Sequence, residues 1–523
     1  MKNTQNMIVL FIILMFALVA PAAMAAGTGG GSVRVGYTFI DDDGSQAVNQ
    51  ETYNVYEGIG LSLNQWQYNW DNGIYLKADL NNITLNNRNL RMSAGKPGRF
   101  GVSAFNNQYR RIYQANGYDF TRRAASGVQA NFQPSRYFKF NGGFGLIDKH
   151  GTDYFIMPAI DDTVSRSSDW TQKSYNFGAQ AGDRNRLVRI DYRKFDFTDN
   201  TPAALDRSAD QINIVATSTL PRLKQVYVSG GLNYRKDKFD ITTTELKTSQ
   251  YWGATNVYFT PTLLFDYRIV FATTERNSPA RTIDNVSNTV AIGKTWPGKG
   301  GARIGYENRV SDDFVNRTSS DGLLFSGWLK PTPKLYFATS LSTRKADVTD
   351  GVTLLGDESR TSHSLKAKYT EAEWGDFTAR WEGRIRKNDD LRSEVKYNVV
   401  SGELNLSRPK YGRLNITYSF YNGDYKDRST TTSYEFTDHV LTGHIYPITY
   451  RNVTVDFGGT YYRSKKDQDI EKFSLDFGAA LTFLKNHHLE ARYRVFNFDD
   501  FHFTDKYYTS NIVEVNVIKD IQL

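Results

Sequence analysis

Cysteine is absent from all 523 residues. That excludes disulfides, thiolate metal centres and any C-x-x-C-H haem attachment, so a redox cofactor would have to arrive with a partner protein. No large charge of one sign is present either. The 64 Lys and Arg are dispersed among 56 Asp and Glu, for a formal charge of +8, and such a balance gives nucleic-acid binding no support. Past the leader no apolar run is long enough to cross a bilayer as a helix. No nucleophile elbow, dinucleotide fingerprint or histidine pair at helical metal-ligand spacing occurs. The expectation is a chain without catalytic chemistry of its own.

The leader comes first among the features that are present. Lys2, the apolar stretch Met7 to Ala20 and the small residues ending at Ala25 have the order of a secretory signal peptide,. Residues 1–25 are therefore expected to be removed, leaving 26–523 as a single domain. Aromatic residues make up 14% of the chain, yet mean hydropathy is −0.53. A transmembrane β-barrel reconciles the two, because its outer face is apolar, its inner face is polar, and the two alternate along every strand.

Alternation is what the sequence shows. Val33, Val35, Tyr37 and Phe39 interleave with Arg34, Gly36 and Thr38; Phe265, Tyr267, Ile269 and Phe271 with Asp266 and Arg268; Phe377, Ala379 and Trp381 with Thr378, Arg380, Glu382 and Arg384,. Counting such stripes to the chain's end predicts an all-β antiparallel barrel of about 26 strands, within a range of 22 to 26. Short periplasmic turns are expected at Leu220-Pro221, Thr260-Pro261, Trp296-Pro297, Lys330 to Pro333, Ser407 to Lys410 and Tyr446-Pro447,. Longer extracellular links are expected at Asp237 to Leu246, Arg309 to Ser319 and Ala346 to Glu358. The last stripe runs from Val513 to Leu523, an apolar C-terminus like that of outer-membrane barrels, although Phe is usual there.

Barrels of about 22 strands already enclose a lumen that natural transporters fill with a plug. No internal segment here is long enough to fold as one, so the expectation is a plugless barrel whose lumen is closed by inward loops or by a guest protein. Inward-facing candidates for contacting such a guest are Arg34, Arg189, Asp191, Arg193, Asp266, Arg268, Arg303, Arg380, Glu382, Arg384, Arg492 and Arg494, since guanidinium forks match carboxylates. A plain hydrated lumen is the competing explanation of these polar residues. Two loops are expected to carry outer contacts: Asn107 to Ala124, with Tyr109, Arg110 and Arg111, and Asp148 to Ser168, with Tyr154, Phe155 and Ile156,. Asp41-Asp42-Asp43 lacks the spacing of a calcium loop, and His487-His488 has no complete ligand set around it. No metal site is expected.

The stretch Asp71 to Ile112, DNGIYLKADLNNITLNNRNLRMSAGKPGRFGVSAFNNQYRRI, resembles the repeated hairpins of the MtrB/PioB-type porins. In those, a G-x-Y-L strand follows an Asn- or Asp-rich turn and pairs with a strand ending in Gly before another G-x-[FY] strand. The resemblance implies a sheath: a periplasmic multihaem c-type cytochrome inside the lumen, a second cytochrome on the outer surface, and extracellular electron transfer between them. Haem would belong to the cytochromes alone. Some members carry a C-x-x-C near the mature N-terminus, which this chain lacks, so the shorter porins of porin-cytochrome conduits in metal-reducing bacteria are more similar. A solute-diffusion porin narrowed by inward loops is the alternative.

Overall fold

A computed structural model describes residues 27–523 except 114–118, 158–161, 184, 203, 224, 314–316, 350–356, 372, 390–391, 409–411, 428–431, 505 and 523. The expected leader lies outside the described residues. Twenty-six strands, numbered β1 to β26 in chain order, form one antiparallel sheet. Each pairs with its neighbours in sequence. β1 (Gly27–Gly44) closes the ring on β26 (Tyr508–Gln522) through an unbroken register from Gly30↔Gln522 to Gly44↔Tyr508. Closure pairs the first strand with the last and so leaves no terminal edge open, the condition for a sheet to sit in hydrocarbon,. Among the described residues the only helix is the single turn Gln46–Val48.

The alternation read from the sequence is the alternation of faces. Val35, Tyr37 and Phe39 stand exposed on the outside of β1, as do Tyr267 and Phe271 on β13 (Leu263–Asn277) and Phe377 and Trp381 on β19 (Gly375–Asn388). These large rings would be costly in water, and a continuous belt of them marks the lipid-facing surface. At strand spacings near 4.8 Å and a tilt near 40°, a ring of 26 strands has a circumference of roughly 160 Å and would be about 50 Å across if circular.

At the end where both termini lie, the connections 136–137, 261–262, 333–334 and 485–486 are two residues long. Asn486, at φ 70°, supplies the left-handed conformation that the last of these tight turns requires,. The opposite end holds the longer connections, among them 45–57, 200–206 and 501–507, as expected of an extracellular rim.

Several expected boundaries are corrected. Asp237 to Leu246 is mostly ladder, with Asp237 paired to Leu246 across a turn at 240–243. Arg309 likewise pairs with Ser320, so the link there shrinks to 314–316, and between Ala346 and Glu358 the strands leave 350–357. Polar sequence continues to pair beyond the membrane because both faces are wet there, and strands of 13 to 21 residues rise past the 9 to 11 or so that a bilayer needs. Tyr446-Pro447 is not a turn. It lies within β22 (Thr432–Tyr450), where the register skips from Ile445 to Ile448, because proline has no N–H to donate and a bulge removes the need for one.

The wall departs from a plain cylinder beside the first strands. β3 (Tyr75–Asn81) and β4 (Asn89–Lys96) have only seven and eight residues, leaving the extracellular halves of β1 and β5 (Phe100–Ile112) without a ladder between them. Residues 45–57 fill that gap. On β5 the lipid-side register begins with exposed Phe100, but Ala104, Asn106, Gln108 and Ile112 further along the same face are buried. Arg110 of this face shares a cavity with Ile40, Asp42, Tyr508 and Ile512 from the inner faces of β1 and β26. The upper part of β5 is thus tucked inside β1 and β26, with residues 45–57 sandwiched between.

Candidate functional site: the inner wall

All twelve inward candidates lie on strands, on the face opposite the exposed apolar belt, as their two-residue spacing requires,. Most are already paired within the wall. Arg34 reaches Glu490 at 3.2 Å on β25 (His487–Asp500) and Glu514 at 3.9 Å on β26. Arg492 meets Asp456 at 2.9 Å on β23 (Val453–Lys466) and Asp476 at 3.4 Å on β24 (Ile470–Leu484). Arg494 pairs with Glu514. Over five neighbouring strands, three arginines and four carboxylates form two adjacent ion-pair clusters, one of Arg34, Arg494, Glu490 and Glu514 and one of Arg492, Asp456 and Asp476, which neutralise the arginine excess expected there.

On β9 (Arg186–Asp199), Arg189 holds Asp191 through Nε at 2.7 Å and Nη2 at 3.0 Å. Arg303 of β15 (Gly300–Asp313) meets Asp266 at 3.0 Å, Arg380 pairs with Glu382, and Arg268 lies over Trp252 at 6.0 Å. Arg193 and Arg384 make no ion pair among the described residues. The carboxylates Asp456, Asp476, Glu490 and Glu514 were not singled out from the sequence, although Asp456 between Val455 and Phe457 carries the same period-two signal as the arginines.

The outer-loop candidates are placed differently from expectation. Tyr109, Arg110 and Arg111 belong to β5, and successive side chains of a strand point to opposite faces, so they form no common patch,. Tyr109 and Arg111 take the lumen-side face, with Arg123 opposite Tyr109. Arg110 is occupied inside the protein: its Nε donates to the Tyr53 carbonyl at 2.7 Å, its Nη2 to the Val55 carbonyl at 3.1 Å, and its guanidinium stacks on Tyr56 at 4.2 Å. Burial raises the pKa of Tyr53 in the same segment and lowers that of Arg88 at the neighbouring 82–88 connection. Tyr154, Phe155 and Ile156 lie in β7 (Phe138–Met157), paired to Ser165, Val164 and Thr163 of β8 (Asp162–Gly182); their side chains are outside the described residues.

The aspartate run Asp41 to Asp43 is strand, not loop, and its side chains diverge. Asp42 turns inward to accept from Gln46 Nε2 at 2.6 Å and Tyr508 OH at 3.3 Å. His488 contacts Asp520 at 2.8 Å. Among the described residues no three metal-ligating side chains converge.

No protein-family model and no curated protein matches the chain. Among solved structures the fold is similar to the siderophore receptor PirA from Pseudomonas aeruginosa, with a TM-score of 0.52 and 10% identity over 81% of this chain and 80% of that one. It is similar too to the FrpB iron transporter from Neisseria meningitidis, with a TM-score of 0.51 and 11% identity over 81% and 82%. At such identities the likeness is one of fold. A large closed barrel with a lipid-facing belt and outer-membrane receptors as structural neighbours makes this chain an integral β-barrel protein of the outer membrane.

Proposed function

We propose that the chain is a plugless, non-catalytic outer-membrane sheath that houses a periplasmic multihaem c-type cytochrome in its lumen, meets a second cytochrome at its outer rim and thereby supports extracellular electron transfer. The observation that carries this is the width of a 26-strand ring together with the brevity of its connections. The longest joins β1 to β2 (Gly58–Trp70), spans residues 45–57 and packs against the wall. An empty ring of that size would breach the membrane barrier, and a folded guest removes the breach. The wall itself contributes no redox group, since the chain has no cysteine to hold c-type haem, and a redox-silent sleeve insulates the carriers inside it.

Affinity isolation of the complete barrel from native outer membranes, followed by absorption spectroscopy for c-type haem, tests the proposal. Co-purification of a multihaem cytochrome in stoichiometric amount is expected, and its repeated absence would refute the sheath. The inward packing of residues 45–57 supports a second possibility, a solute-diffusion channel narrowed by its own segments. Stable, large single-channel currents from the purified chain, with no cytochrome recovered from membranes, would favour that function instead.

A further inference from the structure

β17 (Leu335–Thr349), β18 (Glu358–Glu371) and β19 show exposed Leu341, Leu365, Phe377 and Trp381 on their lipid side. The pleat therefore places Arg344, Arg360, Lys366, Lys368, Arg380, Arg384 and Arg386 on the inner side,. Their register concentrates charge of one sign. Arg344 is directly opposite Arg360, Arg360 directly opposite Arg386, and Lys366 directly opposite Arg380. Opposed like charges destabilise a sheet, and the paired arginines and carboxylates across β23 to β1 show how the same barrel builds a wall when charges are balanced.

On β17 to β19 the balance is missing. Seven cations share the inner face with three carboxylates, Glu358, Asp376 and Glu382, an excess of four. Arg386 takes Glu358 at 2.6 Å, Lys368 takes Asp376 at 3.4 Å, Arg380 takes Glu382, and Arg344 reaches to Glu307 on β15 at 2.8 Å. Arg360, Lys366 and Arg384 are exposed to the lumen and make no ion pair among the described residues. From Lys368 to Arg360 the strand advances through eight residues, about 26 Å along its own axis, which at a tilt near 40° crosses roughly two thirds of the hydrocarbon thickness of a bilayer.

We propose that the inner face of β17 to β19 is an anion-binding strip that draws carboxylate- or phosphate-bearing groups along the lumen. Guanidinium forks suit both groups, and unpaired cations spaced along a pore wall favour anions at each step. The strip is independent of whether a cytochrome occupies the barrel.

The test uses the purified full-length barrel in planar bilayers under a tenfold KCl gradient, beside the triple variant Arg360→Gln, Lys366→Gln, Arg384→Gln. The reversal potential of the unmodified barrel should show preference for chloride, and the variant should lose most of that preference. Lys387→Gln, on the lipid-side face of β19, should leave it unchanged. Isothermal titration of the detergent-solubilised barrel with citrate and with polyglutamate supplies a readout that needs no current, and heat-modifiable electrophoretic mobility reports folding of each variant. Citrate binding weakened tenfold or more in the triple variant supports free multivalent anions as ligands. Polyglutamate binding alone, weakened in the same way, supports the carboxylates of a protein surface. Equal selectivity of both barrels, or binding of each probe equally tight in the unmodified barrel and the triple variant, would overturn the strip.

Discussion

Replacing Arg110 by methionine keeps the length of the side chain and removes its charge, and residues 45–57 should then detach from the wall. Two hydrogen bonds from the guanidinium to the carbonyls of Tyr53 and Val55, at 2.7 and 3.1 Å, are each worth roughly 1.5 to 3 kcal/mol because the donor is charged. The stack on Tyr56 adds about 0.5 to 2 kcal/mol. Release of the segment returns the freed carbonyls to water and restores chain entropy, so the lower end of the sum, about 3.5 kcal/mol, is the appropriate expectation. At 1.4 kcal/mol per decade the open population should rise roughly 300-fold. Glu51 is exposed but is followed by buried Thr52 and Tyr53, so a glutamate-specific protease can cut there only when the segment opens. Cleavage at Glu51 of the folded barrel in detergent, followed by mass spectrometry, should accelerate by about that factor while the β-strand circular dichroism stays unchanged. The contacts Asn54 Nδ2 to Gln108 O at 3.5 Å, Asn87 Nδ2 to Asn54 O at 2.9 Å and the backbone N–H of residue 110 to Asn54 Oδ1 at 3.2 Å remain in the variant. Equal cleavage rates would show that the contacts left in the variant suffice to hold the segment and that the Arg110 side chain is not its anchor.

Three further outcomes are expected. Trp381→Arg puts a cation on the lipid face near mid-membrane and should cost roughly 2 to 4 kcal/mol, read as a lowered urea midpoint for folding into lipid vesicles; an unchanged midpoint would place this face in water. Asp237→Asn should destabilise the barrel by about 1 to 2 kcal/mol, because the buried carboxylate accepts from Arg235 at 2.7 and 2.8 Å and from Arg207 at 2.6 Å, and the arginines are exposed enough to be partly rehydrated; thermal unfolding measures it. Asp183, in the turn between β8 and β9, accepts from the backbone N–H of Asn185 and of Arg186, which holds its carboxyl below the usual range. Its contribution is therefore complete above the unfolded value of about 3.9 and fades as pH falls through the lower folded value. The stability difference from Asp183→Asn should shrink between pH 6 and pH 3, and a constant difference would refute the assignment.

Strand identity was legible because period two is a local property. Val35, Tyr37 and Phe39 declare a face before any neighbour is known, and a membrane barrel repeats that declaration in each strand. Boundaries were less legible. Asp237 to Leu246 has the composition of a loop and the structure of a ladder, since above the bilayer polarity no longer tells a paired strand from a solvated link. Arg110 looked like a surface contact for the same reason: in a run of alternating residues, neither its face nor what covers that face is written locally. The carboxylates facing Arg492 and Arg494 come from strands about 20 to 40 residues away in sequence, so which arginines are neutralised could only be learned from the register.

The amino-acid sequence alone determined that the chain forms membrane-crossing antiparallel strands in about this number, because each strand needs only its own alternation and a turn at either end. Tertiary structure decided what closes on what. The β1–β26 seam, the inward tuck of β5 over residues 45–57, and the contrast between a balanced wall at β23 to β1 and an unbalanced one at β17 to β19 all depend on which side chains stand opposite each other. Such pairings are set by register across the whole ring, and no single segment contains them.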